Sequence, residues 1–299
     1  TPYNVAVHLV GPAFGGLRFD YRRPKHPFSD KFMLAGGHCI PTCYALWILM
    51  GEAMERRFKA TGDKRYQVDP HHAMLSIDAL GFRRGAGALK TLLEDNGLAD
   101  HPLFAQAKVR GIRALSGHAE SIDVTNDVNG GPSGVGLALA AGKAAFWDII
   151  GAPITGPKVI AFEGEFALAE GHAQELKTQA LALKNGKRLR LMISDNNAGI
   201  DDSLIGGVID AKYTGYDLVE QWTSYGWNVF TIPDGNDYKQ VVEVLKTMEE
   251  WDPTDRRPMV VIGKTVKGWW PAPLEKQIVG YPSHPYAFKL NSEYFLALA

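Results

Sequence analysis

Two short acidic segments hold the residues best suited to chemistry in this sequence: Glu163-Gly164-Glu165 and, further along, Asp195-Asn196-Asn197-Ala198-Gly199. Together they offer carboxylates, side-chain amides and backbone carbonyls. These are hard oxygen donors, the set that Mg²⁺ or Ca²⁺ takes, and Mg²⁺ is commonly held by one or two such groups plus the oxygens of a bound phosphate. Glu163 and Glu165 both qualify as the carboxylate ligand. A glycine-rich turn, Asn129-Gly130-Gly131-Pro132-Ser133-Gly134, leads into one of the helical stretches. Nine histidines supply groups that titrate near neutrality, each also able to serve as a structural residue.

These segments need a frame, and the region from 158 to 265 provides one. Val159–Phe162, Leu189–Ile193, Asn228–Ile232 and Met259–Ile262 read as strands. Helical spacing over 168–185, 216–225 and 238–249 lies between them, the first closed by Gly186. Strands alternating with helices imply right-handed crossovers and a mostly parallel sheet with helices on both faces, a doubly wound α/β fold. In such sheets ligands bind beyond the carboxyl ends of the strands. The loops after Phe162, Ile193 and Ile262 are therefore the places to look, and both acidic segments fall there. Upstream, residues 40–60, 85–98 and 134–148 read as helices, and residues 1–33 as an irregular segment rich in Pro, Gly and Arg.

Composition narrows the possible partners. The 299 residues are 45% hydrophobic and 22% charged, with Lys plus Arg at 32 against Asp plus Glu at 33. Without a long block of like charge, no nucleic-acid or membrane partner driven by bulk charge is expected. Two cysteines, Cys39 and Cys43, exclude a disulfide scaffold and fit reduced thiols in a cytoplasmic protein. The longest apolar run, about Tyr44 to Met50, is far too short to cross a bilayer.

Several segments taken in order resemble the transketolase family. Gly164-Glu165-Phe166, with Glu170-Gly171 five residues after Glu165 and Asn196 thirty-one residues after it, resembles the Gly-Asp-Gly…Asn motif of thiamine-diphosphate enzymes. Asp195–Asp201 resembles the loop that ends this motif in transketolases. Asp30–His38, Ser116-Gly117-His118-Ala119-Glu120, Gly131–Gly136 and Ser283-His284-Pro285 resemble four further family segments. The offset to Glu170-Gly171 favours Glu165 over Glu163 at the motif position.

The resemblance implies a thiamine-diphosphate-binding N-terminal domain of the transketolase type, spanning residues 1–299 with 264–299 an extended C-terminal segment. By the same carry-over, Glu165, Asn196 and the Ala198 carbonyl hold Mg²⁺ or Ca²⁺. Gly131, Pro132, Ser133, Gly164, Glu165, Phe166, Asn196 and Ile200 approach the cofactor, and His38, His118 and His284 line the catalytic channel. The implied reaction transfers a two-carbon ketol unit between a ketose and an aldose, with sugar phosphates as substrates. A pyrimidine-binding domain or subunit and a homodimer or higher oligomer are implied as partners. Lys264–Gly268 and Gly226–Val229 also resemble the first component of pyruvate and other 2-oxo-acid dehydrogenases. Two departures stand out: Glu165 and Phe166 occupy the family's aspartate and glycine positions, and its early Ser-Gly-His-Pro-Gly stretch has no counterpart before Asp30. They motivate a further alternative, a non-catalytic paralogue with an assembly role.

Overall fold

The computed structural model describes residues 16–83, 111–199, 217–269 and 278–283, together with Asp95, Gly97, Asp100 and Glu293. Apolar runs such as Val159-Ile-Ala-Phe162 and Met259-Val-Val-Ile262 suit strands covered on both faces, because neither face needs polar residues. They become β2 (Val159–Gly164) and β5 (Met259–Lys264), joined by β1 (Lys31–Leu34), β3 (Leu189–Asp195) and β4 (Asn228–Ile232). The five pair in the order β1-β2-β3-β5-β4, and every pairing is parallel.

Alternate residues of each strand feed two separate cores, as a period of two requires. Phe32, Leu34, Ile160, Phe162, Met192, Met259 and Val261 pack against helices α1 (Ile40–Thr61) and α5 (Tyr238–Glu250). Met33, Val159, Ala161, Leu191, Ile193, Val260 and Ile262 pack against α2 (Val135–Ile149), α3 (Gly171–Ala182) and α4 (Leu218–Ser224). The fold is thus the expected doubly wound α/β sheet. The chain moves outward from β1 through β3 to β4 and then steps back to β5. That reversal places α5 on the face opposite α3 and α4, as a constant crossover hand demands.

The elements depart from the sequence reading at their ends. Lys31–Leu34 is a buried edge strand, inside the stretch read as irregular through residue 33; its short length and leading lysine hid it. Helix α3 begins at Gly171 rather than 168, because Glu165–Ala169 forms a separate 3-10 turn. Ser194 and Asp195, read as loop, extend β3, and β5 runs on to Lys264. The helix read over 85–98 lies almost wholly outside the described residues. No described helix is long and apolar enough to cross a membrane.

Candidate functional site

The carboxyl ends of β1, β2, β3 and β5 converge on one cavity of about 100 Å³. After β1, Gly36, Gly37 and His38 form its wall, and after β2 come Gly164, Glu165 and Phe166. Asn196, Ala198 and Gly199 follow β3, Lys267 follows β5, and Gly131 and Ser133 border it from the turn before α2. Close backbone approach fixes this wall: a Cβ at Gly37 would lie 2.4 Å from the Gly130 carbonyl oxygen. Gly134, at the N-terminus of α2, has φ +75, a conformation that glycine adopts without strain.

Glu165 is 1% exposed, and its Oε1 accepts the Ala198 amide at 3.1 Å. Burial pushes its carboxyl up to about 7, with Asp195 adding to the rise while the Asn196 and Ala198 amides oppose it. Glu163 is buried beside it. Its Oε1 accepts the Gly164 amide at 2.9 Å and its Oε2 lies 3.4 Å from the Gly134 amide. Burial raises this carboxyl to about 7 as well, against those two amides and with the Glu165 charge helping. Neither carboxyl forms an ion pair among the described residues, and burial favours whatever neutralises its charge, a proton or a cation.

Asn196 Oδ1 is buried and has no hydrogen-bond partner among the described residues. An orphaned amide oxygen next to a buried carboxylate is what a hard divalent cation would complete. Glu165 and Asn196 therefore fit the expected metal. The Ala198 carbonyl fits differently, because it already accepts Lys267 Nζ at 3.1 Å, and Gly199 accepts the same ammonium at 2.8 Å. Burial lowers the Lys267 pKa, with Glu165 and Cys39 acting against the fall. Among the described residues, no group of three or more His, Cys, Asp or Glu side chains is placed to hold a metal, so any such centre here depends on amide and carbonyl oxygens. Phe166, where a smaller residue was expected, lays its ring against Gly199: a Cβ there would sit 3.0 Å from Phe166 Cε2. Asn197, in the loop after β3, takes φ +50, a left-handed turn that asparagine tolerates.

The expected residues are thus brought together in part. His38, Gly131, Ser133, Gly164, Glu165, Phe166, Asn196 and Ala198 border the cavity. Pro132 is exposed in the turn between two of them. His118 is exposed and borders the neighbouring loop, which Gly130 joins by donating to the Ala119 carbonyl at 2.8 Å. Ile200 and His284 lie outside the described residues. Lys267 is the residue the sequence reading missed. Its signal was present in Lys264-Thr-Val-Lys-Gly268 after the last strand, a loop already expected to face the site. Cys39 and Cys43 are free and buried, Cys39 at the start of α1 where it also borders the cavity and Cys43 one turn into the helix.

Comparison with known proteins places this geometry. The family model described as "Transketolase, thiamine diphosphate binding domain" matches residues 98–284, more than half of the chain. Transketolase of Scheffersomyces stipitis is 27% identical over 272 residues, covering 88% of this chain and 32% of that protein. Transketolase 1 of Pasteurella multocida is 29% identical over 160 residues, 51% of this chain and 22% of its own length. A solved Pichia stipitis transketolase in complex with sedoheptulose-7-phosphate shares the fold with TM-score 0.60 at 21% identity, covering 88% of this chain and 32% of its own. The Campylobacter jejuni transketolase gives TM-score 0.59 at 19% identity, with 87% and 32% covered. The chain therefore spans about a third or less of the length of these proteins. By its match and its fold, this chain belongs to the family of the transketolase thiamine diphosphate binding domain.

Proposed function

We propose that the chain is the diphosphate-binding part of a cytoplasmic thiamine-diphosphate enzyme that transfers a two-carbon ketol unit from a ketose to an aldose, with sugar phosphates as the substrate class. The observation that carries this reading is the buried Glu165 carboxyl beside the orphaned Asn196 Oδ1 at the carboxyl ends of the central strands. Glu165 and Asn196, joined by the Ala198 carbonyl on its remaining lone pair, would hold Mg²⁺ or Ca²⁺ against the diphosphate oxygens. Gly131, Pro132 and Ser133 bring backbone close to the cofactor, Gly164 and Phe166 border the same cavity, and Ile200 joins them by the family resemblance. When bound, the cofactor supplies the electron sink for breaking a carbon–carbon bond next to a ketone. His38, at the mouth of the cavity, gives and takes protons at the substrate oxygens, a role the family resemblance extends to His118 and His284.

The reading includes a partner. A site at the rim of an open sheet leaves the cofactor's rings in water, so a pyrimidine-binding domain or subunit must cover them. A homodimer or higher oligomer is the expected assembly, and Leu49, Phe146 and Ile149, exposed on α1 and α2, are apolar surface for it to bury. Calorimetry with thiamine diphosphate and Mg²⁺, followed by a ketol-transfer assay with the partner domain present, tests the proposal. Binding with ketol transfer is expected. Absence of binding overturns the proposal. Binding with pyruvate decarboxylation instead of ketol transfer identifies the dehydrogenase alternative, and binding with neither activity identifies the paralogue.

A further inference from the structure

Two neighbouring residues of one turn hold the same loop at two points. Glu165 and Phe166 open the 3-10 turn after β2. The Glu165 carboxylate reaches across to the loop after β3, where the backbone amides of Asn196 and Ala198 donate to it, Ala198 at 3.1 Å to Oε1. The Phe166 ring, half-buried at the edge of the cavity, lies on Gly199 of that loop. A Cβ at Gly199 would stand 3.0, 3.2 and 3.3 Å from three of its carbons, so the ring closes this position to any larger residue unless one of the two moves. Between these contacts the loop bends through Asn197 at φ +50 and carries the Asn196 Oδ1 that lacks a partner among the described residues. A long acid and a bulky ring thus stand together where the motif they resemble has a short acid and no side chain. With the loop where it is, an aspartate at 165 would fall short by one carbon–carbon bond, about 1.5 Å. That is more than a hydrogen bond or a metal–oxygen distance tolerates.

We propose that Glu165 and Phe166 act as a matched pair: the ring wedges the loop after β3 at the distance that the longer carboxylate spans, so that Glu165 and Asn196 Oδ1 face one cation. This rests on the diphosphate reading above. Phe166 is a positioning residue; it acts through the loop and contributes no donor of its own. Closely packed groups transmit a change of volume to their neighbours, so the spacing that the ring sets is firm. Either residue changed alone mismatches reach and spacing. With the ring gone, the loop is free to settle towards β2, where a shorter carboxylate meets it.

The test is a double-mutant cycle on the full protein, read as thiamine diphosphate affinity by calorimetry in excess Mg²⁺ and, separately, as the urea midpoint. Glu165→Asp is expected to lose at least about tenfold in affinity with the ring in place and less than about threefold in the Phe166→Ala background, a coupling of the size that residues sharing a partner show. The shifts in urea midpoint are expected to add. Gly199→Ala, which brings a methyl group against the ring, is expected to weaken binding about tenfold and to lose that effect in the Phe166→Ala background. Equal factors for Glu165→Asp with and without the ring overturn the proposal while leaving the diphosphate reading intact. Coupling of the same size in the urea midpoints would make the pair a packing contact of the fold and overturn it as well. Should Phe166→Ala fail to fold, Gly199→Ala alone decides: unchanged cofactor affinity in Mg²⁺ contradicts the wedge. Absence of wild-type binding even in Mg²⁺ overturns the diphosphate reading and this proposal with it.

Discussion

The two ends of the same sheet treat buried charge in opposite ways. At the amino end, Asp30 accepts the Arg18 and Lys158 amides at 2.7 and 2.9 Å and forms ion pairs with the side chains of both residues. Lys158 reaches Glu249 at 2.8 Å, and the buried Arg190 reaches the same carboxylate at 3.0 Å. Burial alone would raise Glu249, but the hydrogen bond from Lys158 and the charges of Arg190 and Lys158 bring it down to about 2. At the carboxyl end, burial pushes Glu163 and Glu165 up to about 7 and Asn196 Oδ1 has no partner among the described residues. At the amino end each of these charges faces an opposite charge of the chain, although the Arg190 guanidinium keeps buried N–H groups without a hydrogen-bond partner among the described residues; at the carboxyl end Glu163 and Glu165 form no ion pair among them. Burial by itself does not mark a functional site, since Asp30, Lys158 and Arg190 at the amino end are as buried as Glu163 and Glu165, with Arg18 and Glu249 exposed. A deficit of compensating charge does.

Breaking the amino end should cost stability and leave binding alone. Asp30→Ala strands the Arg18 and Lys158 amides and leaves the Lys158 ammonium with Glu249 as its one ion-pair partner among the described residues, and removal of one member of a buried ion pair costs about 3–5 kcal/mol. Urea denaturation should show that loss, with thiamine diphosphate affinity unchanged in the folded fraction. Breaking the carboxyl end should do the reverse. Glu165→Gln and Asn196→Ala are each expected to weaken cofactor binding at least about tenfold in Mg²⁺, about 1.4 kcal/mol. Circular dichroism and the urea midpoint should stay near wild type, because neither residue closes an ion pair in the fold. A large stability loss in Glu165→Gln would erase the distinction between the two ends.

The histidines sharpen the comparison within the carboxyl end. His38 borders the cavity and His118 only its neighbouring loop. Loss of a positioned acid–base group costs about 100-fold or more, so His38→Ala should lower the ketol-transfer rate by about that factor with cofactor affinity little changed. His118→Ala should cost less, about tenfold. Equal losses would mean that the loop carrying His118 is part of the site in the assembled enzyme.

The smallest effect is a pH dependence at the amino end. Because the folded-state pKa of Glu249 lies below its ordinary value, its contribution to stability is present above about pH 4.5 and fades as pH falls towards 2. Glu249→Gln should flatten that acid limb of the stability curve while leaving the neutral range nearly parallel to wild type. An unchanged acid limb would show that Lys158 and Arg190 do not act through this carboxylate.

Much of this was legible in the sequence, and for identifiable reasons. Val159–Phe162 and Met259–Ile262 are doubly covered strands whose apolar runs announce them, and the acidic segments after β2 and β3 follow from where such sheets bind ligands. Glu165 and Asn196 were found by spacing and resemblance together. Lys31–Leu34 was missed because a four-residue edge strand begins on a lysine whose burial depends on Asp127, 3.9 Å away and distant in sequence. Lys267 was missed because nothing local shows that two carbonyls nearly 70 residues earlier will enclose its ammonium. The charge balance of either end depends on such long-range partners, and no periodicity encodes them.

The central claim is that Glu165 and Asn196 are completed by a divalent cation against a diphosphate. Mn²⁺ substitutes for Mg²⁺ at oxygen sites and scatters anomalously, so a crystal of the protein soaked with Mn²⁺ and thiamine diphosphate reads the site directly. The account predicts one anomalous peak within coordination distance of a Glu165 oxygen and Asn196 Oδ1, next to the diphosphate and separate from Lys267 Nζ. Diphosphate density with manganese on Glu163 alone, or with no manganese between Glu165 and Asn196, would contradict it.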